Sequence, residues 1–201
     1  GEFTALANAV QHANTMVVDG ADIVDVGGES TRPGSEFVPI DEEIRRTAPV
    51  IAALVQALDV PVSLDTRKHQ VAHAAVAAGA LIINDVAALS FDPQMLETVQ
   101  ETGVSVCLMH AAGNPDTMQN DPSYDNVVLD VYDYLQDRVA LALSAGIPRD
   151  RIMVDPGIGF GKTLDHNLAL LKNISAFHGL GCPILLGASR KSFIGTLANV
   201  S

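Results

Sequence analysis

Cysteine, basic residues and long hydrophobic runs are all scarce in this sequence. Cysteine occurs only as Cys107 and Cys182, each beside an apolar run, so we expect free thiols in a reducing compartment. No apolar run approaches the ~18 residues of a membrane span, and no basic stretch followed by hydrophobic residues opens the chain. These absences predict a cytoplasmic protein with no membrane partner.

Basic residues are outnumbered by acidic ones, 12 against 24 in 201 residues, for a formal net charge of −12. This balance disfavours nucleic acid or an anionic membrane as a partner, although a small anion can still bind where cations cluster. Six of the cations directly follow predicted strands: Arg32, Arg67, Lys68, Lys162, Arg190 and Lys191. The positive charge is therefore concentrated where the strand ends predict a pocket.

Several motifs of nucleotide and hydrolase chemistry are also missing. The loop from Asp155 to Thr163 ends in Gly-Lys-Thr, but Pro156 stands where a phosphate-binding P-loop needs glycine. Lys162 likewise occupies the last glycine position of the dinucleotide pattern GxGxxG. The histidines lack HExxH spacing and no GxSxG elbow is present, which disfavours zinc proteases and serine hydrolases.

The sequence does contain a regular alternation of short apolar runs and longer helical patterns, within what we predict to be one domain, residues 1–201. The predicted strands are Asp22 to Val26, Pro61 to Leu64, Leu81 to Ile83, Val104 to Met109, Ile152 to Val154 and Ile184 to Leu186. The predicted helices are Thr4 to Val18, Asp41 to Leu58, Lys68 to Ala78, Asp92 to Thr102, Tyr124 to Ala145 and Leu164 to Phe177. Short apolar runs without alternation are typical of parallel strands covered on both faces.

Polar residues follow every predicted strand. They are Glu29 to Arg32, Asp65 and Thr66, Asn84 and Asp85, His110, Asp155, and Ser189 to Lys191. One such residue usually caps a turn or a helix, but here the pattern recurs at all six strand ends. In a (β/α)₈ barrel these ends converge on the rim where catalysis occurs, so we favour that barrel over an open doubly wound sheet.

The barrel prediction leaves the strand count short, because such a barrel has eight strands and the sequence shows six predicted βα units. A helical pattern begins at Thr4 with no strand before it, and the chain stops at Ser201, within or just after the helix that follows the sixth strand. We therefore expect a barrel that lacks its first and last strands.

Two segments offer donors suited to an anion. After Gly27 and Gly28, which permit close backbone approach, the loop carries Ser30, Thr31 and Arg32 as donors for phosphate or carboxylate oxygens. The stretch 189–192 combines two cations with a predicted helix start. An ordinary surface loop and a solvated helix start are the alternative interpretations.

A set of hydrogen-bond acceptors lies at three strand ends: Asp65, Asn84 and Asp155. A flat heterocycle with an amidine-like N–H edge would pair with these groups, since a carboxylate can accept two parallel hydrogen bonds. The same three groups could instead hold a divalent metal, but the positive charge of Lys191 would compete with it.

Six motifs then identify a family. The segments GGESTRPG, SLDT, INDV, LMH with the nearby GNPDTMQ, DPGIGFGK and GASRKSFIG occur in the order found in dihydropteroate synthases, and the sequence resembles that family over essentially its whole length. The resemblance implies a (β/α)₈ barrel. It also implies a transferase of folate biosynthesis, in which the amine of p-aminobenzoate displaces pyrophosphate from 6-hydroxymethyl-7,8-dihydropterin pyrophosphate to give 7,8-dihydropteroate.

The resemblance implies roles for particular residues. Asp65, Asp155 and Lys191 would be catalytic, and they would contact the pterin together with Asn84. The remaining substrate-binding residues would be Val86 and Met109 as apolar walls of the pterin slot, Thr31 near the pyrophosphate, Arg32 and Pro33 in a mobile loop over p-aminobenzoate, Phe160 and Ser192 in the p-aminobenzoate pocket, and Ser189 and Arg190 beside them.

The resemblance further implies Mg²⁺ as a cofactor, inhibition by sulfonamides that mimic p-aminobenzoate, and a homodimer. The family's Mg²⁺-binding asparagine and its Arg-x-His anion clamp belong to the first and last strands, which this sequence does not contain, so no residue here is predicted as a metal ligand. Two alternatives stay open: a non-catalytic pterin-binding fragment, and a methyltransferase that moves a methyl group from a folate to a corrinoid protein on a related barrel. The segments GESTRPG and SRKS argue against the methyltransferase.

Overall fold

The structure, a computed structural model, describes residues 6–30, 35–112, 122–189 and 191, in which helices and strands alternate. The strands are β1 (Val24–Gly27), β2 (Val62–Asp65), β3 (Ile82–Asp85), β4 (Ser105–Met109) and β5 (Ile152–Asp155). The helices are α1 (Leu6–Val18), α2 (Ile40–Ala57), α3 (His69–Ala77), α4 (Met95–Thr102), α5 (Val127–Ser144) and α6 (Leu164–Lys172). Short 3₁₀ helices span Arg149–Arg151 and Ile174–Leu180.

The strands form one sheet in chain order, β1-β2-β3-β4-β5. Strands β1, β2 and β3 are parallel, with Gly27 beside Asp65 and Asp65 beside Asn84. Parallel pairing with helices between the strands confirms the α/β class. It also brings the carboxyl ends of these three strands to one edge.

The prediction of a sixth strand from Ile184 to Leu186 is wrong, because this segment does not form a full strand. At 184–186 the structure has only an isolated parallel bridge between Val154 and Ile184. The N–H of Val154 donates to Pro183 O, and the N–H of Leu185 donates to Val154 O. Pro183 has no N–H to donate, and the bonds to Val154 are not continued into a ladder.

The described residues divide into two compact units. Residues 6–30, 36–85 and 89–106 form the first unit, and residues 35, 86–88, 107–112, 122–189 and 191 form the second. Fully buried side chains in the first unit include Ile51, Leu54, Leu64, Ile83 and Met95. Those in the second unit include Leu108, Leu135, Ile152, Leu170 and Phe177. Each unit therefore has its own apolar core, to which strands and helices both contribute.

Two helices begin later than predicted, because a side chain accepts hydrogen bonds from nearby backbone N–H groups. Helix α5 begins at Val127, not Tyr124, because the Asn126 side chain caps it by accepting from the N–H groups of Val128 and Leu129. Helix α4 begins at Met95 because Asp92, the predicted start, accepts from the Gln94 and His69 N–H groups.

Helix ends follow the glycine pattern in the sequence. Gly79, Gly103 and Gly146 follow α3, α4 and α5 with φ values of 107°, 66° and 89°. A positive φ of this kind has little steric cost only at glycine, so these residues end the helices. Helix α6 ends at Lys172 and gives way to a 3₁₀ helix, so the predicted extension to Phe177 is wrong. Among the described helices, none has both the length and the hydropathy needed to cross a membrane.

Gly28, in the loop after β1, packs directly against α2. A Cβ at this position would lie 2.8 Å from Glu43 Cγ and 2.8 Å from Thr47 Cγ2, and both of those side chains are buried. A Cβ at Gly27 would have Asp65 Cβ as its nearest neighbour, at an ordinary 3.8 Å. Adjacent glycines therefore differ sharply in the space around them.

We predict that Gly28→Ala lowers the free energy of unfolding by about 1–3 kcal/mol, because the new methyl group overpacks the contact with α2. Gly27→Ala is the matched control and should change it by less than about 0.5 kcal/mol, since the methyl group has room. Urea denaturation of both variants measures the difference. Equal destabilisation by the two substitutions would contradict the packing argument.

Candidate functional site

The first unit holds a group of polar side chains near the carboxyl ends of β2 and β3 and within β1, here called the acidic cluster: Asp25, Asp65 and Asn84. The strand register places Asp25 beside Ser63 and Asp65 beside Asn84. The Asn84 side-chain amide donates to Asp25 Oδ2 at 3.3 Å. The predicted pair Asp65 and Asn84 is thus brought together, with Asp25 as an additional member.

Crowding of negative charge perturbs this cluster. Burial, followed by the charges of Asp25, Asp85, Glu43 and Glu29, raises the pKa of Asp65 to about 8. Burial also raises the pKa of Asp25, although hydrogen bonds from Ser63 and Asn84 oppose that shift. A cation or a set of N–H donors would relieve this strain, whereas an anion would add to it. The cluster is therefore suited to a positively polarised ligand edge.

Asp25 was missed by the sequence analysis, although a signal was present. It stands inside the apolar run of β1, where an aspartate has no partner from the run itself. Asp85, in contrast, is a structural group: it is buried and accepts the Leu89 N–H at 2.8 Å.

The cations that follow β2 are held by acids of the same unit. Arg67 donates to Glu29 Oε1 at 2.9 Å, and Lys68 is paired with Glu29 and Glu43. Both lie after a strand, as predicted, but their charges are matched locally. Lys68 therefore offers no unmatched charge to an anion. Arg67 shares Glu29 with Lys68, and its Nε is buried without a hydrogen-bond partner among the described residues.

In the second unit, Asp155 ends β5 in a buried position. Its Oδ1 accepts the Gly157 N–H at 2.7 Å, and its backbone carbonyl accepts the His110 N–H at 2.9 Å. Burial raises the pKa of Asp155 to about 6, while the Gly157 hydrogen bond and the charges of Lys162 and Lys191 act in the opposite direction. This carboxyl group can thus change protonation state close to neutral pH.

Lys162 organises the glycine loop that follows Asp155. Its buried ammonium lies 2.9 Å from His110 Nδ1, and it donates to the carbonyls of Gly157 and Phe160 at 2.9 Å each. Burial lowers the pKa of Lys162 to about 7, with Lys191 acting in the same direction. Burial, followed by the Lys162 charge, lowers the pKa of His110 to about 3, so this imidazole is neutral at physiological pH.

The backbone at Gly157 requires glycine on two grounds. Its φ is 69°, and a Cβ there would lie 1.8 Å from the carbonyl oxygen of His110. The carbonyls of His110, Gly157 and Phe160 all accept from the Lys162 ammonium, so the loop is a tightly bonded turn. Because the sequence alone does not say where a lysine side chain points, this role of Lys162 was not predicted.

Phe160 and Lys191 meet in the same unit. The Lys191 ammonium lies 3.9 Å from the centre of the Phe160 ring, a cation–π distance, and both residues are partly buried. The predicted wall residues Val86 and Met109 are buried, and Ser189 is exposed. The predicted residues Thr31, Arg32, Pro33, Arg190 and Ser192 lie outside the described residues.

The described residues, 6–30, 35–112, 122–189 and 191, include many acidic side chains and several histidines. Within these ranges no three histidine, cysteine or acidic side chains are placed to hold an ion together. The acidic cluster supplies only two carboxylates and one amide. The described residues therefore do not fit a bound divalent ion.

Known proteins resemble this chain along its whole length. The model of the family described as pterin binding enzyme matches residues 1–201. Dihydropteroate synthase of Escherichia coli K12 is 48% identical over 200 residues, which cover 100% of this chain and 71% of that protein. The resemblance inferred from the six motifs is thereby confirmed.

Solved structures agree with the sequence relatives. A Yersinia pestis dihydropteroate synthase in complex with a sulfonamide drug has a TM-score of 0.94 and 44% identity, covering 98% of this chain and 71% of its own. The Xanthomonas albilineans enzyme in complex with 7,8-dihydropteroate has a TM-score of 0.88 and 42% identity, covering 100% of this chain and 71% of its own. The predicted (β/α) barrel fold is confirmed by these likenesses. The polar strand ends, the motif order and the relatives converge: this chain belongs to the pterin binding enzyme family, among the dihydropteroate synthases.

Proposed function

We propose that this chain condenses 6-hydroxymethyl-7,8-dihydropterin pyrophosphate with p-aminobenzoate, releasing pyrophosphate and forming 7,8-dihydropteroate for folate biosynthesis. The observation that carries the proposal is the 48% identity to the E. coli dihydropteroate synthase over 100% of this chain. In the reaction the amine nitrogen bonds to the pterin methylene carbon, the carbon–oxygen bond to pyrophosphate breaks, and the amine loses a proton.

The pterin is proposed to bind through its N–H edge. Asp65 and Asn84 would accept its hydrogen bonds in the first unit, where crowded carboxylates favour a ligand rich in N–H donors. Asp155 would accept in the same way, as the family resemblance implies. Binding would draw Asp65 and Asp155 into their ionised forms, because N–H donors stabilise a carboxylate more than a carboxylic acid.

Ionised carboxylates also suit the transition state. Loss of pyrophosphate places positive charge on the methylene carbon, and the electron-rich dihydropterin ring shares that charge. Fixed negative charge beside the ring lowers the energy of this state more than that of the ground state. Asp65 and Asp155 are the proposed sources of that charge, and no covalent bond to the protein is needed.

p-Aminobenzoate is proposed to bind beside Phe160 and Lys191, with Ser189, Arg190 and Ser192 on the same segment. The cation–π contact between Lys191 and Phe160 supports this assignment, because it brings an aromatic ring and a positive charge together. An aromatic ring that carries a carboxylate is complementary to both features. Sulfonamides, which mimic this substrate, are proposed to occupy the same place.

The leaving pyrophosphate is proposed to be met by Thr31, with Arg32 and Pro33 in the loop that encloses p-aminobenzoate. Mg²⁺ is proposed as the cofactor, and when bound it would neutralise charge on the pyrophosphate. Since the described residues do not fit a metal ion, none is assigned to Mg²⁺ and no step above depends on it. A homodimer and a cytoplasmic location are likewise proposals.

The decisive experiment is p-aminobenzoate-dependent release of pyrophosphate from the pterin pyrophosphate. Turnover that requires both substrates supports the proposal. Methyl transfer from a methylated folate to a corrinoid protein would favour the related methyltransferase. Thermal stabilisation by the pterin pyrophosphate without turnover would favour a pterin-binding fragment without catalytic activity.

We predict that Asp155→Asn weakens binding of the pterin pyrophosphate on the order of 100-fold, because the charge-assisted part of its hydrogen bonds is lost. Turnover should fall by at least as much, since the same charge serves the transition state. Calorimetric titration and steady-state kinetics measure the two effects. Asp165→Asn, at an exposed position on α6, is the control and should leave both unchanged. Unaltered kinetics in Asp155→Asn would remove Asp155 from the site.

We also predict that pterin affinity has a step centred near pH 6. The pKa of Asp155 is raised to about 6, so lowering the pH through this value protonates the group and removes the charged acceptor. Below the step the dissociation constant should rise up to about tenfold per pH unit. The step should vanish in Asp155→Asn, while Asp65, with a pKa raised to about 8, adds a separate one at higher pH. A step near pH 6 that persists in Asp155→Asn would assign it to another group.

A further inference from the structure

The first unit contains a buried charge network centred on Lys68, here called the Lys68 network: Glu29, Glu43, Thr66, Arg67 and Lys68. The Lys68 ammonium donates to Glu29 Oε2 and, at 2.6 Å, to Glu43 Oε2. Thr66 Oγ1 donates to Glu43 Oε1 at 2.8 Å, and Arg67 donates to Glu29 Oε1 at 2.9 Å. Lys68 and Glu43 are 3% and 1% exposed, so solvent screens their interaction little.

Lys68 contacts both ends of the loop between β1 and α2. At the loop start it holds the Glu29 carboxylate. At the loop end it donates to the Val38 carbonyl at 2.6 Å, and its ammonium lies 4.2 Å from the centre of the Phe37 ring. Glu29 itself accepts the Val38 N–H at 3.2 Å, which closes the ring of contacts. One ammonium group therefore fixes the separation of residues 29 and 38.

Helix α2 and the end of strand β2 also contribute side chains to the Lys68 network. Glu43 lies in the first turn of α2, and Thr66 directly follows Asp65 at the end of β2. The network thus links the base of the loop to the strand end that carries a proposed pterin ligand. Two carboxylates and two cations balance, so the removal of one member leaves an unmatched buried charge.

The loop held in this way carries Thr31, Arg32 and Pro33 in its sequence, the residues proposed for the pyrophosphate and p-aminobenzoate. We propose that Lys68 is a positioning residue for p-aminobenzoate binding: it touches no substrate, but it fixes both ends of the loop from Glu29 to Val38. The inference rests on the proposed function. We expect an effect on p-aminobenzoate and on the pyrophosphate group, with little effect on the pterin ring, because the proposed pterin ligands lie on strand ends.

The test compares Lys68→Met with a matched control, Glu42→Gln. Glu42 neighbours Glu43 on the first turn of α2 but forms exposed ion pairs with Arg45 and Arg46. In Lys68→Met we expect the KM for p-aminobenzoate to rise at least about tenfold, the loss of a charge-assisted contact, while the dissociation constant of 6-hydroxymethyl-7,8-dihydropterin, which lacks the pyrophosphate, stays within about threefold. Glu42→Gln should leave both constants unchanged, since exposed pairs contribute little.

A second readout needs no substrate. The Val38 N–H is protected by Glu29, so its hydrogen exchange should accelerate at least about tenfold in Lys68→Met and stay unchanged in Glu42→Gln. Because Lys68→Met leaves an unmatched carboxylate, its melting temperature should fall on the order of 10 °C. The double variant Lys68→Met with Glu43→Gln removes one charge of each sign. It should recover most of the melting temperature without recovering the KM or the exchange protection.

Equal losses for p-aminobenzoate and for 6-hydroxymethyl-7,8-dihydropterin in the double variant, or unchanged Val38 exchange in it, would overturn the positioning role and leave Lys68 as a purely structural group. A parent chain without p-aminobenzoate-dependent pyrophosphate release would be a failure of the proposed function. The exchange measurement distinguishes the two cases, because it reports on the loop anchor whether or not the chain turns over.

Discussion

Parallel pairing of short strands is the constraint on which the rest of this structure depends. Because β1, β2 and β3 run in the same direction with their ends level, whatever residue follows each apolar run is carried to the same edge. Helices return the chain to the opposite edge each time, so the ligands of one site come from segments far apart in sequence. Strand cores supply stability, and the positions after them are free to carry chemistry.

Charged side chains are therefore concentrated near the strand ends, and the acidic and basic ones differ in how they are paired. Carboxylates of the acidic cluster are left with raised pKa values, which N–H donors of a ligand would lower. In the same unit, Lys68 is saturated by two carboxylates and a carbonyl. In the second unit, Lys162 is bonded to carbonyls and an imidazole. Strained acceptors beside satisfied donors are a form of preorganisation for a cationic ligand.

Local rules explain what could be predicted from the sequence. The apolar runs, the glycines after α3, α4 and α5, and the polar strand ends located most elements and placed Asp65 and Asn84 together. The prediction failed where side chains act at a distance. Asn126 and Asp92 moved helix starts, and the partners of Lys68 and Lys162 lie up to 52 residues away in sequence. No periodicity encodes such pairs, because they depend on which helix lies next to which strand.

Gly157 carries a consequence for how this protein can change. Neither its backbone angle nor the 1.8 Å approach to the His110 carbonyl admits a side chain, so the position has no tolerated substitute. Its N–H is bound to Asp155 and its carbonyl to Lys162, so the shape of this turn is set by main-chain atoms. If an inhibitor contacted only these main-chain atoms, a single substitution at Gly157 could not confer resistance without disrupting the turn. Selection could alter only the neighbours, and only as far as the turn survives.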